Sequence, residues 1–401
     1  MSRLKKFLHD RAIGLTKVVA RMLPDRAPVT FAGEGSMQAL CDAIAQTRPG
    51  RVGIITDEGL VSAGVLGQAT AALDASGVGW AVYSGVQPDP SFEQVEAGRA
   101  LLASQGCDAV LALGGGSSMD AAKVIAAAAT NPGPIEKLEG RMKVKIPPLP
   151  LFALPTTAGT GSETTIVAVV SDPQSHTKKF FVDPKMLPAM AALDPSLMTG
   201  LPAHITAATG MDALTHAVES VLARTSTAQT EAYARSAIQR IFPDLPRACA
   251  QGDDLAARTS MALASYYAGL AFTRTSVGYV HAIAHTFGAF YGTPHGLANA
   301  IALPEVLDIS LDAAAPRMAM MAEWIGLGSD GSSETERAQA FVASVRELSE
   351  KIQIPRTLAA LRTDDIPAIA RQALGEAHMN YPVPRTMEQA ECEGLLGRIL
   401  P

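Results

Sequence analysis

Cysteine is scarce in this chain. The four present, Cys41, Cys107, Cys249 and Cys392, are scattered with no paired spacing. That pattern excludes a disulfide framework and a zinc–thiolate site, and a reducing cytoplasm is the expected compartment. Charge is also sparse, at 18% of residues, which is low for a monomer surface and predicts a homodimer or higher homo-oligomer. The net charge is -6 and no basic patch interrupts it, so no nucleic-acid footprint is expected. No apolar run approaches the length of a membrane span. HEXXH is missing, which disfavours a zincin protease. Internal repeats and low-complexity tracts are missing as well. Apolar side chains are plentiful, at 48% of 401 residues. That suffices for two domains with a large core and rules out disorder as the main state.

The opening stretch, MSRLKKFLHDRAIGLTKVVARML, is basic and helical in period. It lacks a continuous apolar core and a small-residue cleavage site, so it does not read as a secretory signal. Leu4, Phe7, Leu8, Ile13, Leu15, Val18, Val19 and Leu23 form an imperfect apolar stripe. A helix packed on the body or on a partner subunit is expected; a membrane-surface helix is the alternative.

Residues 30–195 alternate between strand and helix patterns. RVGIITD (51–57), WAVYSGV (80–86) and DAVLALGGGS (108–117) read as strands, with helical spacing in LVSAGVLGQATAALDASG and FEQVEAGRALLASQG between them. LPLFALPTT (149–157) and MAALDP (190–195) read as further strands. This rhythm predicts a parallel, Rossmann-like sheet covered by helices. From about residue 200 strand runs vanish. Pro202 suits the first turn of a helix through residue 216, and helices are expected over 226–241, 254–272, 276–290, 312–325, 333–352, 365–376 and 387–399. The expected division is a basic extension over 1–29, an α/β domain over 30–199 and an all-α domain over 200–401.

In DAVLALGGGSSMDAAK a strand runs into Gly114, Gly115 and Gly116, and a helix starts near Ser117. Glycine lets the backbone approach a pyrophosphate, and free amides at a helix start bind its oxygens. An unliganded tight turn is the plain alternative. PTTAGTGSE (155–163) is a second polar turn after a strand, where Thr156, Thr157, Thr160, Gly161 and Ser162 offer hydroxyls and amides without charge. Ligands of parallel sheets bind at strand C-termini. Asp57 ends RVGIITD, where a carboxylate would bond the adenosine ribose and repel a 2′-phosphate, favouring NAD over NADP. A helix cap before EGLVSAG is the competing role. The acid precedes the glycine turn, so this is not the usual dinucleotide-binding order.

The histidines cluster. Five of the eight, His204, His216, His281, His285 and His295, lie within 92 residues, while His9, His176 and His378 read as surface or packing residues. Asp212 and His216 are four apart in GMDALTH, as are His281 and His285 in HAIAHTFGAFYGTPHG. Residues four apart share a helix face. Asp212, His216, His281 and His295, with His285 beside them, are therefore candidates for one divalent cation. Imidazole and carboxylate suit Fe2+ or Zn2+. Spacing alone leaves open which of His281, His285 and His295 is not a ligand.

GGGSSMDAAK, PTTAGTGSE, LPAHITAATGMDALTHAVES and GYVHAIAHTFGAFYGTPHGLANAI together resemble the iron-containing alcohol dehydrogenases, the group with lactaldehyde reductases and 1,3-propanediol dehydrogenases. The resemblance runs from about residue 30 to the C-terminus. It implies an α/β domain of the dehydroquinate synthase kind, a helical domain, and an active site in the cleft between them. It implies a metal held by Asp212, His216, His281 and His295, leaving His285 as a proton relay near the nicotinamide. It further places Gly115, Gly116, Ser117 and Asp120 along the pyrophosphate, with Thr156, Thr157 and Thr160 beside the coenzyme. Lys178 matches a coenzyme-contacting lysine, with Lys179 its rival by one residue, and Asp89 stands where relatives often have asparagine.

The implied reaction is reversible, NAD(H)-linked oxidation of a small alcohol to an aldehyde or ketone, with the metal as Lewis acid. Phe152, Phe272, Phe287, Phe290 and Tyr291 are candidates for an apolar substrate pocket. A dehydroquinate synthase-type lyase is the first rival, but the region near the candidate ligands is poor in Lys and Arg for a phosphate-bearing substrate. A maleylacetate reductase typically departs from this aspartate–histidine pattern. A non-catalytic metal-binding assembly protein would explain the ligands but not two nucleotide turns.

Overall fold

The computed structural model describes residues 26–172, 177–328 and 331–401. The helix expected over residues 1–22, and with it His9, lies outside the described residues, as does His176. Two compact units are present. One comprises Arg26–Leu201 with Gly252–Tyr266, the other Pro202–Gln251 with Tyr267–Pro401.

The first unit is built on a six-stranded sheet of order β1-β9-β6-β4-β2-β3. Its strands are β1 (Val29–Ala32), β2 (Val52–Ile55), β3 (Trp80–Tyr83), β4 (Ala109–Gly114), β6 (Leu151–Pro155) and β9 (Met190–Leu193). Every pairing in this sheet is parallel. Parallel sheets are covered on both faces, and side chains alternate between them. On β4, Ala109, Leu111 and Leu113 enter one core and Val110 and Ala112 the other. The first core is completed by α1 (Ser36–Gln46) and α3 (Val65–Ala75), through Leu40, Ile44, Ala69 and Leu73. The second is completed by α4 (Phe92–Gln105) and α5 (Gly116–Thr130), through Val95, Leu102, Met119 and Ile125. The short helix α2 (Glu58–Ser62) follows β2.

The sequence reading did not foresee a second sheet of order β5-β8-β7, formed by β5 (Gly140–Arg141), β7 (Val167–Asp172) and β8 (Thr177–Val182). β7 and β8 are antiparallel. Short polar-flanked runs such as TKKFFV carry a weak period-two signal, which explains the omission.

The second unit is helical. It holds α6 (Ala203–Leu222), α7 (Ala228–Ala250), the end of α8 (Leu255–Thr275), α9 (Tyr279–Tyr291), α10 (His295–Trp324), α11 (Glu334–Lys351), α12 (Ile366–Asn380) and α13 (Gln389–Arg398). α6 is buried from Gly210 through Leu222, so it runs through the core rather than over the surface. Pro202 is its N-cap, one position earlier than expected. The helix read at 312–325 is in fact α10, which starts at His295 and contains Pro304 and Pro316. α7 likewise passes through Pro243 and Pro246. A helix-interior proline costs about 3 kcal/mol, so local preference disfavours an unbroken helix at these positions. Burial of Ile301, Leu303, Leu307 and Met318 along α10 offsets that cost. Among the described residues no helix is long and apolar enough to cross a membrane.

Candidate functional site

In the helical unit, α6 presents Asp212 and His216 one turn apart, 2% and 5% exposed. α9 starts after Gly278 and places His281 in its first turn, 2% exposed. Gly292, in the left-handed region at φ 64°, ends α9, and Pro294 caps α10, whose first residue is His295. One donor atom from each of Asp212, His216 and His281 lies within 4.8 Å of the others. His281 Nε2 is 3.0 Å from His216 Nε2 and 3.7 Å from Asp212 Oδ1. His295 Nε2 lies 3.5 Å from Asp212 Oδ1 and accepts from Asn299 Nδ2 at 3.1 Å. The same amide donates to Asp212 Oδ1 at 2.7 Å. Asp212, His216 and His281 thus form the tight group, with His295 at its half-buried side.

Charge is concentrated here in low dielectric. Burial works against the Asp212 carboxylate, but His216, His295 and His281 outweigh it and hold the acid well below the usual carboxylate range. Burial likewise opposes a charge on His281, but Glu219 and Asp212 push it up to about 9. His295 goes the other way: burial dominates and holds it well below the ordinary histidine value. His281 Nδ1 donates to Glu219 Oε2 at 2.6 Å, so only one further proton can sit on Nε2, which faces another ring nitrogen. Lone pairs and an anionic oxygen converge on one point with no thiolate among them. That donor set fits a divalent cation such as ferrous iron or zinc.

His285, one turn past His281, stacks on His295 with centroids 5.3 Å apart. Its Nδ1 bonds Glu376 Oε1 at 2.7 Å, and Tyr381 Oη donates to that same oxygen at 2.5 Å. Burial raises the Glu376 acid, but its bonds to His285 and Tyr381 bring it below the ordinary value. Phe272 stacks on His216 at 4.0 Å. Of the other aromatic pocket candidates, Phe152 and Phe287 are core residues, and Tyr291 Oη donates to Asp365 Oδ2 at 2.7 Å.

In the α/β unit the two polar turns are packed together. Gly115 is the N-cap of α5 and Gly116 its first residue. A Cβ on Gly116 would lie 2.8 Å from Thr160 Cγ2, and one on Gly115 would lie 3.3 Å from Thr157 Oγ1. Thr156 N donates to Gly114 O at 3.1 Å, tying the turns through the backbone. Thr156 is buried, whereas Ser117, Thr157 and Thr160 are half-buried. The first amides of α5 have no acceptor within the helix. Lys123 is buried beneath, its Nζ donating to Ser162 Oγ at 2.8 Å, Thr165 Oγ1 at 2.7 Å and Val167 O at 2.8 Å. Asp120 accepts from Ser162 Oγ and Val169 N, both at 2.9 Å.

Asp57 caps α2, its Oδ1 accepting from Leu60 N at 3.0 Å, while Ser118 Oγ donates to Oδ2 at 3.4 Å. Lys178 is paired with Asp89 at 2.7 Å, and Lys179 faces Glu139 at 3.6 Å. Sequence reasoning missed Glu219, Asn299, Glu376, Tyr381 and Lys123. Spacing could have found two of them: Glu219 is three residues past His216, and Asn299 four past His295.

With this geometry in view, two family profiles match the chain. "Iron-containing alcohol dehydrogenase" covers residues 27–195, and "Fe-containing alcohol dehydrogenase family, C-terminal" covers 206–400. The chain belongs to the iron-containing alcohol dehydrogenase family and is an oxidoreductase of that family. It is 39% identical over 348 residues to lactaldehyde reductase of Escherichia coli, covering 86% of this chain and 91% of the relative. The crystal structure of a 1,3-propanediol oxidoreductase superposes with a TM-score of 0.91 at 35% identity, covering 93% of this chain and 98% of the other. A sulfoacetaldehyde reductase from Bifidobacterium kashiwanohense, solved in complex with NAD+, superposes at 0.84 with 28% identity, covering 93% and 97%. The resemblance read from the motifs holds, as does the expected α/β and all-α architecture.

Proposed function

We propose that this alcohol dehydrogenase uses ferrous iron and NAD(H) to interconvert a small alcohol, of the primary-alcohol, diol or lactaldehyde type, with its carbonyl partner. The observation that carries the reading is the convergence of Asp212, His216 and His281 donors within 4.8 Å in the helical unit. These three and His295 would hold the ion. The donor set accepts zinc as readily, and the family favours iron. A divalent ion there supplies the Lewis acidity that polarises a carbonyl or acidifies an alcohol, and the nicotinamide supplies or accepts the hydride.

The chain's own residues do the rest. Gly115, Gly116 and Ser117 would receive the pyrophosphate on the free amides of α5, with Thr157 and Thr160 beside it and Thr156 and Asp120 holding the turns. Asp57 Oδ2, which accepts only a long 3.4 Å bond from Ser118 Oγ, would meet a ribose while Oδ1 caps α2. Lys178 would reach the coenzyme from its pairing with Asp89. His285, with Nδ1 tied to Glu376, would move the alcohol proton through Nε2. The proposed division of labour gives coenzyme binding to residues 30–199 and metal binding to 200–401, in a cytoplasmic homodimer or larger assembly.

The test loads metal-free protein anaerobically with ferrous or zinc ion, then supplies lactaldehyde or 3-hydroxypropanal with NADH deuterated at C4. Deuterium on the product carbinol carbon, strictly dependent on metal, is expected. Metal-free protein that transfers deuterium at the same rate would overturn the reading.

A further inference from the structure

One buried carboxylate in contact with the proposed ligands has no role in the metal reading. Glu219 is 4% exposed and lies on α6, on the stripe that carries Asp212 and His216. Its Oε2 accepts from His281 Nδ1 at 2.6 Å and from Gly278 N at 2.7 Å. Its Oε1 accepts from Val280 N at 2.7 Å. All three donors belong to the start of α9, where the N-cap is a glycine and supplies no side-chain acceptor. A helix start leaves amides that need outside partners, and here a carboxylate from a neighbouring helix provides them. Gly278 permits the approach, because a Cβ there would lie 2.8 Å from Glu219 Oε1.

The bond to Nδ1 has a second consequence. It holds a proton on that nitrogen, so the neutral imidazole keeps its lone pair on Nε2. Nε2 is the nitrogen that faces His216 Nε2 at 3.0 Å and Asp212 Oδ1 at 3.7 Å. Pinning α9 to α6 also fixes the height of His281 relative to both.

We infer that Glu219 is a positioning residue of the metal centre: it selects the His281 tautomer and locks the helix bearing His281 to the helix bearing Asp212 and His216. This rests on the reading that those residues hold an ion. Gln at 219 would keep the shape but present one acceptor oxygen to three N–H donors and turn an NH2 toward the others, so one or more of them loses its partner.

The test titrates metal-free wild type, Glu219→Gln and Asp212→Asn with cobalt(II) against a chromophoric chelator, and reads NADH binding by fluorescence in parallel. Glu219→Gln is expected to weaken cobalt binding about 10–100-fold, to change the visible cobalt spectrum at saturation, and to leave NADH affinity unaltered. A purely structural role would not change the spectrum of the saturated protein. Wild-type affinity and spectrum in Glu219→Gln, with Asp212→Asn unable to bind, would overturn the positioning role while the metal reading stands. Wild-type binding in Asp212→Asn would overturn the metal reading and the positioning role with it. If Glu219→Gln does not fold, Glu219→Asp takes its place. Its shorter side chain cannot span His281 and the α9 backbone together, so weaker binding and an altered spectrum are again expected, and a wild-type result refutes the role.

Discussion

Replacing Gly296 with alanine should damage the metal centre without touching a ligand. Gly296 is the second residue of α10, next to His295. A Cβ there would lie 2.4 Å from Ala208 O and 2.8 Å from Ala208 C. Real Cβ atoms essentially never come within 3.0 Å of such atoms, so the two backbones must part by at least 0.6 Å (3.0 − 2.4). No flexible side chain is available to absorb the shift. Ala208 is one turn before Asp212 on α6. The displacement therefore acts one turn from the carboxylate on one helix and one residue from the imidazole on the other. Metal–ligand distances tolerate about 0.2 Å, a third of the required movement. The expected result is about 1–3 kcal/mol of destabilisation from overpacking and at least a tenfold loss of metal affinity, about 1.4 kcal/mol. Calorimetry of the metal-free protein and cobalt competition against a chelator measure the two effects. Gly394→Ala is the control: its Cβ meets nothing within 4 Å on α13, so it should stabilise by about 0.5–1 kcal/mol and leave metal affinity alone. A Gly296→Ala protein that binds cobalt as tightly as wild type would refute the reasoning.

Gly116→Ala should weaken NADH binding with little change in thermal stability, because its Cβ would sit 2.8 Å from the movable Thr160 methyl, on the face proposed to receive the coenzyme; fluorescence titration with unchanged affinity would count against the turn as a phosphate cradle. Glu163 gives a pH prediction. Burial pushes its acid up to about 7, with Lys123 only partly opposing. The folded state then holds a proton that the unfolded state releases near pH 4.3, so this contribution is complete below that value and is lost as pH rises toward 7. Urea unfolding at about pH 5 and about pH 7.5 should show wild type losing up to roughly 3 kcal/mol more than Glu163→Gln over that interval; equal losses would remove Glu163 as the cause. His285→Ala should keep its metal and turn over more slowly, and normal turnover by that variant rejects the relay role.

Continuous apolar runs made the parallel sheet legible, because strands buried on both faces carry apolar residues at every position, as β4 does. The glycine turn and the DxxxH and HxxxH spacings were legible because local geometry converts them directly into a helix start and a helix face. The limits were set by tertiary packing. Pro304 locally disfavours a helix that burial sustains, and the expected helix over 312–325 covers less than half of α10. The bond between His285 and Glu376 spans 91 residues, and Tyr381 joins it only by donating to Glu376, so neither leaves a periodic trace around His285. Asp57 could cap a helix or meet a ribose by sequence; the structure gives one oxygen to the cap and turns the other toward Ser118. Lys123 looked like the end of a motif, and only the fold reveals it as a buried pin joining α5 to the second turn.

The central claim is that one ion sits where α6, α9 and α10 bring their donors together. An anomalous difference map at the iron edge, from crystals of anaerobically loaded protein, tests it most directly. One peak per chain is predicted, about 2.0–2.3 Å from an oxygen of Asp212 and from nitrogens of His216, His281 and His295. Iron bound elsewhere, or loaded protein with no density among these four side chains, would contradict it.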